Sequence, residues 1–95
     1  MLGGSGNARI LDSKERAAVL NEKNAIETYS GRTFTVFEPV LIKVQVVRGF
    51  NYVVKILVDN DEYIHVKLYL PLEYKETKKA EIVFVKTGKT LDDKM

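Results

Sequence analysis

The stretch Tyr63-Ile64-His65-Val66-Lys67-Leu68-Tyr69-Leu70 alternates apolar and polar side chains without a break. Successive residues of a strand point to opposite faces, so Ile64, Val66, Leu68 and Leu70 line one face and Tyr63, His65, Lys67 and Tyr69 the other. A face so apolar needs a cover. Working upstream, Asn60 between Asp59 and Asp61 makes a polar turn, and Tyr52 to Val58 reads as a strand before it. Further upstream, Phe34 to Val47 is long, β-branched and aromatic. Pro39 lies inside it and has no N–H to donate, which predicts a bulge or an edge kink in a long bent strand. Arg48-Gly49 separates this strand from the next. Downstream, Leu70-Pro71-Leu72 ends the alternating strand, a charged connection runs from Glu73 to Lys79, and Ala80 to Val85 reads as a last strand. The tail from Lys86 to Met95 is polar.

The cover comes from the other end of the chain. Asp12 or Ser13 can cap a helix, Glu15 stands three residues after Asp12 to complete a capping box, and Gly31 supplies the stop. Between them Ala18, Val19, Ala25, Ile26 and Tyr29 form an apolar stripe at helical spacing, interrupted by Glu22. One helix followed by an antiparallel meander of strands is an α+β layout in which the helix covers the sheet. Residues 1–8 form a Gly/Ser/Asn leader with little to bury, expected to be flexible.

Composition narrows the function. The 95 residues suffice for a single domain with one core. With no Cys, the chain has no disulfide staple, no thiolate zinc ligand and no thiol nucleophile. The single His, His65, leaves little for a catalytic triad or a His-pair metal site and is expected to be structural. A net charge of +2 spread along the chain does not argue for nucleic acid. No apolar run approaches the ~20 residues of a spanning helix, and the N-terminus lacks the basic and apolar regions of a signal peptide. These features favour a non-enzyme in a reducing, cytoplasmic setting, with no cofactor, metal or membrane partner.

Folding alone does not require three places in the chain. They are the glycine-rich leader, the Gln45-Val46-Val47-Arg48-Gly49 turn and the Leu70-Pro71-Leu72 turn. If consecutive strands pair as hairpins, the two turns share one end of the sheet and the 59–61 turn lies at the other. An exposed hairpin tip ordinarily carries Asn, Asp and Gly; these tips carry valine, leucine and proline, which marks a contact surface.

Gln45-Val46-Val47-Arg48-Gly49 resembles the Gln-x-Val-x-Gly motif of the cystatin superfamily of cysteine-peptidase inhibitors. Together with Phe34-Thr-Val-Phe-Glu-Pro-Val40, Asn51-Tyr52, His65-Val66-Lys67, Leu70-Pro71 and an N-terminal glycine at the appropriate distance, the chain is similar to the stefins (type 1 cystatins), the intracellular, cysteine-free branch. The resemblance runs from about Leu2 to Val85. It implies a cystatin-like fold, one long helix wrapped by a four- to five-stranded antiparallel sheet, with a short first strand near Ala8 to Leu11.

The resemblance also implies a reversible competitive inhibitor of papain-like cysteine peptidases such as cathepsins. Met1, Leu2, Gly3 and Gly4 would form an inhibitory trunk, with Leu2 in an apolar pocket and the chain turning away at Gly3 or Gly4. Gln45 to Gly49 would be the first binding loop, and Leu70, Pro71 and Leu72 the second. Arg48 stands where familiar stefins carry alanine, placing a charge at the tip, and Leu72 makes the second loop more apolar than usual. A monomer is expected. The alternative is a stefin-like scaffold for a non-peptidase partner, or an oligomer formed by strand exchange through the 45–49 hinge.

Overall fold

The computed structural model describes residues 7–74 and 78–95. Helix α1 spans Ser13–Asn21 and helix α2 Lys23–Ser30; strands β1 (Phe37–Val47), β2 (Gly49–Val58), β3 (Tyr63–Leu70) and β4 (Glu81–Lys89) follow. The strands form one antiparallel sheet in the order β1-β2-β3-β4. This is the α+β architecture expected, with β3 at the bounds its alternation predicts.

The helix begins where its caps place it. The Asp12 carboxylate accepts the Glu15 amide at 2.7 Å, and the Glu15 carboxylate accepts the Asp12 amide at 3.0 Å, a complete capping box. Gly31 ends it in the left-handed region at φ 72°. The helix is not one uninterrupted rod. At Glu22 (φ −97°, ψ 8°) the amide reaches back to Val19 at 3.0 Å, a tighter 3₁₀ step. The buried part of the stripe is narrower than the spacing predicts: Ala18, Val19 and Ile26 are buried, whereas Ala25 and Tyr29 are exposed. Tyr29 instead donates from its hydroxyl to the Val83 carbonyl at 3.4 Å, tying α2 to β4.

The core lies between the helices and one face of the sheet. Ile42, Val54, Ile56, Val58, Ile64, Val66 and Leu68 are all at most 1% exposed, and Val19 and Ile26 meet them from the helices. Full burial of such side chains stabilises by about 1.5–3 kcal/mol each before chain entropy is counted. Pro39 sits on an edge strand, and the register between β1 and β2 shifts between Pro39 and Leu41, so the expected bulge and edge position coincide.

Further features differ from the sequence reading: β1 begins at Phe37 and not at Phe34, and β2 begins at Gly49, three residues before Tyr52. The short strand near Ala8 to Leu11 is a single antiparallel bridge, in which Arg9 and Ile42 exchange both backbone hydrogen bonds at 2.9 and 2.8 Å. Strand β4 continues four residues beyond Val85 to Lys89, because Lys89 pairs with Tyr63 and the Gly88 amide donates to Glu62. The polar tail then turns over the outer face, where the Lys55 ammonium donates to the carbonyls of Leu91 and Asp93. Beneath it His65 and Lys55, register partners on β3 and β2, are only 2% and 4% exposed.

Candidate functional site: the converging hairpin ends

Strand β1 runs into β2, and β3 runs back beside β2, so the reversals at 48 and at 70–72 meet at one end of the sheet. The first reversal is tighter than a five-residue loop. Gln45, Val46 and Val47 are still strand residues paired with Asn51, Phe50 and Gly49, and the chain turns over Arg48 alone. The Asn51 amide donates to the Gln45 side-chain oxygen at 3.2 Å, bracing the hairpin below its tip.

Gly49 makes this turn possible. Its φ is 104°, and a Cβ there would lie 2.2 Å from the Leu70 carbonyl oxygen and 3.0 Å from the Pro71 Cα. Only a residue without a side chain lets the two reversals approach so closely. A second tie joins them: the Tyr69 hydroxyl, on the outer face of β3, donates to the Arg48 carbonyl. The two hairpin ends form one edge with a shared backbone seam.

The side chains along this edge are apolar and open. Val46 is 64% exposed and Leu72 70%, with Val47 and Phe50 at 40% and 41%. Arg48 is exposed at the tip between them. Leu70, placed in the apolar row by the alternation and in the second loop by the resemblance, is 4% exposed and belongs to the core, so Pro71 and Leu72 present the second reversal. Phe50 is the residue that sequence reasoning missed. It follows Gly49 and reads as an ordinary strand start, yet its ring lies 6.2 Å from that of Tyr52 beside a cavity of about 340 Å³ lined also by Ala18, Leu70, Leu72 and Tyr74.

The N-terminal segment is rooted on the same body. Beyond the backbone bridge to Ile42, the Arg9 guanidinium grips the Glu15 carboxylate with two hydrogen bonds of 2.7 and 2.6 Å. That grip, together with the Asp12 amide, holds the Glu15 carboxyl below its ordinary range despite burial. Because the bridge is antiparallel, the chain from Arg9 back through Ala8 and Asn7 heads toward the end that carries Val46 to Arg48. Met1, Leu2, Gly3 and Gly4 lie outside the described residues.

His65 stands apart from this edge. Its Nε2 is buried without a hydrogen-bond partner among the described residues, and burial followed by the Lys55 charge pushes its pKa down. Among the described residues no three His, Cys, Asp or Glu side chains gather as a metal-ligand set, and no helix is long and apolar enough to cross a membrane.

Comparison with known proteins agrees with the fold. The family model described as Cystatin domain matches residues 17–91. Cystatin-A1 of Sus scrofa is 33% identical over 95 residues, covering 100% of this chain and 91% of that protein. Stefin-C of Bos taurus is 29% identical over 94 residues, covering 99% and 92%, and Cystatin-B of Bos taurus is 27% identical over 95 residues, covering 100% and 96%. With its helix-covered antiparallel sheet and its paired apolar reversals, the chain belongs to the cystatin family, on the side of the stefins, whose members inhibit cysteine peptidases and are not enzymes.

Proposed function

We propose that the chain is a reversible, competitive inhibitor of papain-like cysteine peptidases of the cathepsin type, acting in the cytoplasm as a monomer. The observation that carries this reading is the single apolar edge made by Val46, Val47, Phe50, Pro71 and Leu72, with Gly49 set against Leu70 and Tyr69 on Arg48. An edge of that kind fits a cleft. Its backbone is already ordered by the sheet, so docking costs little further conformational entropy.

In this mechanism the Gln45 to Gly49 hairpin sits over the cleft beside the catalytic thiol, and Pro71 and Leu72 occupy the leaving-group side. The trunk fills the substrate side, with Leu2 in the apolar pocket. At Gly3, or at Gly4 one residue on, the chain turns away from the thiol. No peptide carbonyl then reaches attack distance, and the geometry needed for acylation never forms. Ordering the trunk costs on the order of 1–2 kcal/mol per residue. That cost is offset by tethering: the root at Arg9 delivers the trunk at high effective concentration once the loops have docked.

Titrating active papain with the protein tests this reading. Stoichiometric loss of activity that substrate competes away, and that weakens when Met1 to Gly3 is removed, is the expected result. Full peptidase activity at micromolar protein overturns it and points to the scaffold or strand-exchanged alternative, which size-exclusion chromatography then separates.

A further inference from the structure

The apolar side chains of the edge suit many clefts and choose among them poorly. The charge at the tip is different. Arg48 sits at the one-residue reversal between Val47 and Gly49, exposed, while its carbonyl is held by the Tyr69 hydroxyl. Its neighbour Gly49 lies so close to the Leu70 carbonyl that a Cβ would fall 2.2 Å from it, which sets the backbone at the root of the side chain against the second reversal. Arg48 lines a cleft of about 290 Å³ together with Tyr69, Pro71, Leu72, Glu73 and Lys78. In that cleft Glu73 is engaged by Lys78 at 3.7 Å, which leaves the local balance positive.

We propose that Arg48 is a specificity-determining residue, and Tyr69 its positioning residue: together they select papain-like peptidases whose cleft rim is acidic. The proposal rests on the inhibitory reading above. A charge at the leading point of an edge acts before contact, by steering encounter, and its effect appears in association rate and in salt dependence more than in residence time. Fixing the Arg48 carbonyl means that only side-chain rotamers are restricted when the guanidinium meets a carboxylate. The outermost cation thus arrives in a set place, and a basic rim meets it as repulsion.

The test uses the full chain and two papain-like peptidases chosen for opposite cleft-rim charge, with association and dissociation rates measured from low to 1 M salt. Against the acidic rim, Arg48→Ala slows association about three- to tenfold at low salt, and Arg48→Glu slows it further. Arg48→Lys keeps most of the rate, and all the curves converge near 1 M, where the screening length is about 3 Å. Against the basic rim the order of the variants reverses. Tyr69→Phe keeps the charge and the salt slope but dissociates faster, because the tip is no longer held. Alanine and glutamate variants with the wild-type salt slope on the acidic-rimmed enzyme, while inhibition itself persists, overturn the Arg48 proposal and leave the inhibitory reading standing. A wild-type chain that inhibits neither enzyme overturns both.

Discussion

At one end of the sheet the chain reverses through Asp59, Asn60 and Asp61, and the carboxylates of Asp59 and Glu62 on either side of that turn are both engaged. The Asp59 carboxylate accepts the amides of Val36 and Thr35 at 2.6 and 3.1 Å. Glu62 takes two hydrogen bonds from the Arg32 guanidinium, at 3.0 and 2.8 Å, and a third from the Gly88 amide at 2.7 Å. At the other end, the same strands reverse through Arg48 and through Pro71-Leu72, with valines and leucine left open. The first end is finished by its own side chains. The second is ordered in its backbone and unfinished in its side chains, which is the condition of a surface awaiting a partner.

Glycine substitutions give the largest expected contrast between the two ends. Gly49→Ala places a Cβ 2.2 Å from the Leu70 carbonyl at a φ of 104°, so the two reversals must part. We expect a loss of about 2–4 kcal/mol in denaturant unfolding, combining backbone strain with the clash, and at least a hundredfold weaker inhibition. Gly88→Ala at the polar end has a φ of 67° but meets nothing within 4 Å. It costs about 1–2 kcal/mol from left-handed strain alone and leaves inhibition intact. If the two variants lose equal stability and equal inhibition, the contrast between the ends is wrong.

Removing Glu62 from the finished end comes next. Glu62→Ala breaks its ion pair with Arg32 and its bond from Gly88, with an expected loss of about 1–2 kcal/mol, discounted because both side chains are partly exposed. Inhibition should not change. Leu72→Ala is the mirror experiment: at 70% exposure its stability effect stays within about 0.5 kcal/mol, while the affinity for the peptidase falls. A Leu72→Ala variant that destabilises the fold and inhibits normally would reverse the assignment of the two ends.

The smallest effect concerns pH and lies on the outer face near the finished end. Burial and the neighbouring Lys55 lower the pKa of His65, with Lys89 and Lys86 adding to the effect and Asp93 opposing it. A group lowered on folding gives its full stability above its ordinary value of about 6.5 and loses it as pH falls through the folded value. Stability measured by urea unfolding should therefore decline below neutral pH, and His65→Gln should flatten that decline. Asp59, Glu62 and Glu15 are also lowered, by the Val36 amide, by Arg32 and by Arg9 respectively, so their contributions are lost only at more acidic pH. A wild-type curve flat from neutrality to pH 5 would remove His65 from this account.

The sequence discloses these ends unequally. The alternation of residues 63–70, the capping box at Asp12 and Glu15, the kink at Pro39 and the apolar composition of both reversals are local patterns, and the structure reproduces each of them. What the sequence conceals depends on distant partners. Thr87-Gly88-Lys89 has no strand pattern and becomes a strand only because Tyr63 and Glu62 receive it. Tyr29 fits the helical stripe by spacing, yet it is exposed and reaches the Val83 carbonyl across α2 and β4. Within the site, Gly49 is legible as part of a motif, whereas its fit against Leu70 and the bond from Tyr69 to Arg48 join residues about twenty positions apart. Leu70 is legible both ways: the alternation puts it in the row of Ile64, Val66 and Leu68 and the turn puts it at the tip, and in space its side chain belongs to the row.

The most direct measurement of the central claim is a tight-binding titration of active papain with the wild-type chain and with Gly49→Ala side by side, both confirmed folded by circular dichroism. The wild type should give a stoichiometric, substrate-competitive end point, and the glycine variant weak or absent inhibition. Equal inhibition by both proteins, or none by the wild type, would contradict it.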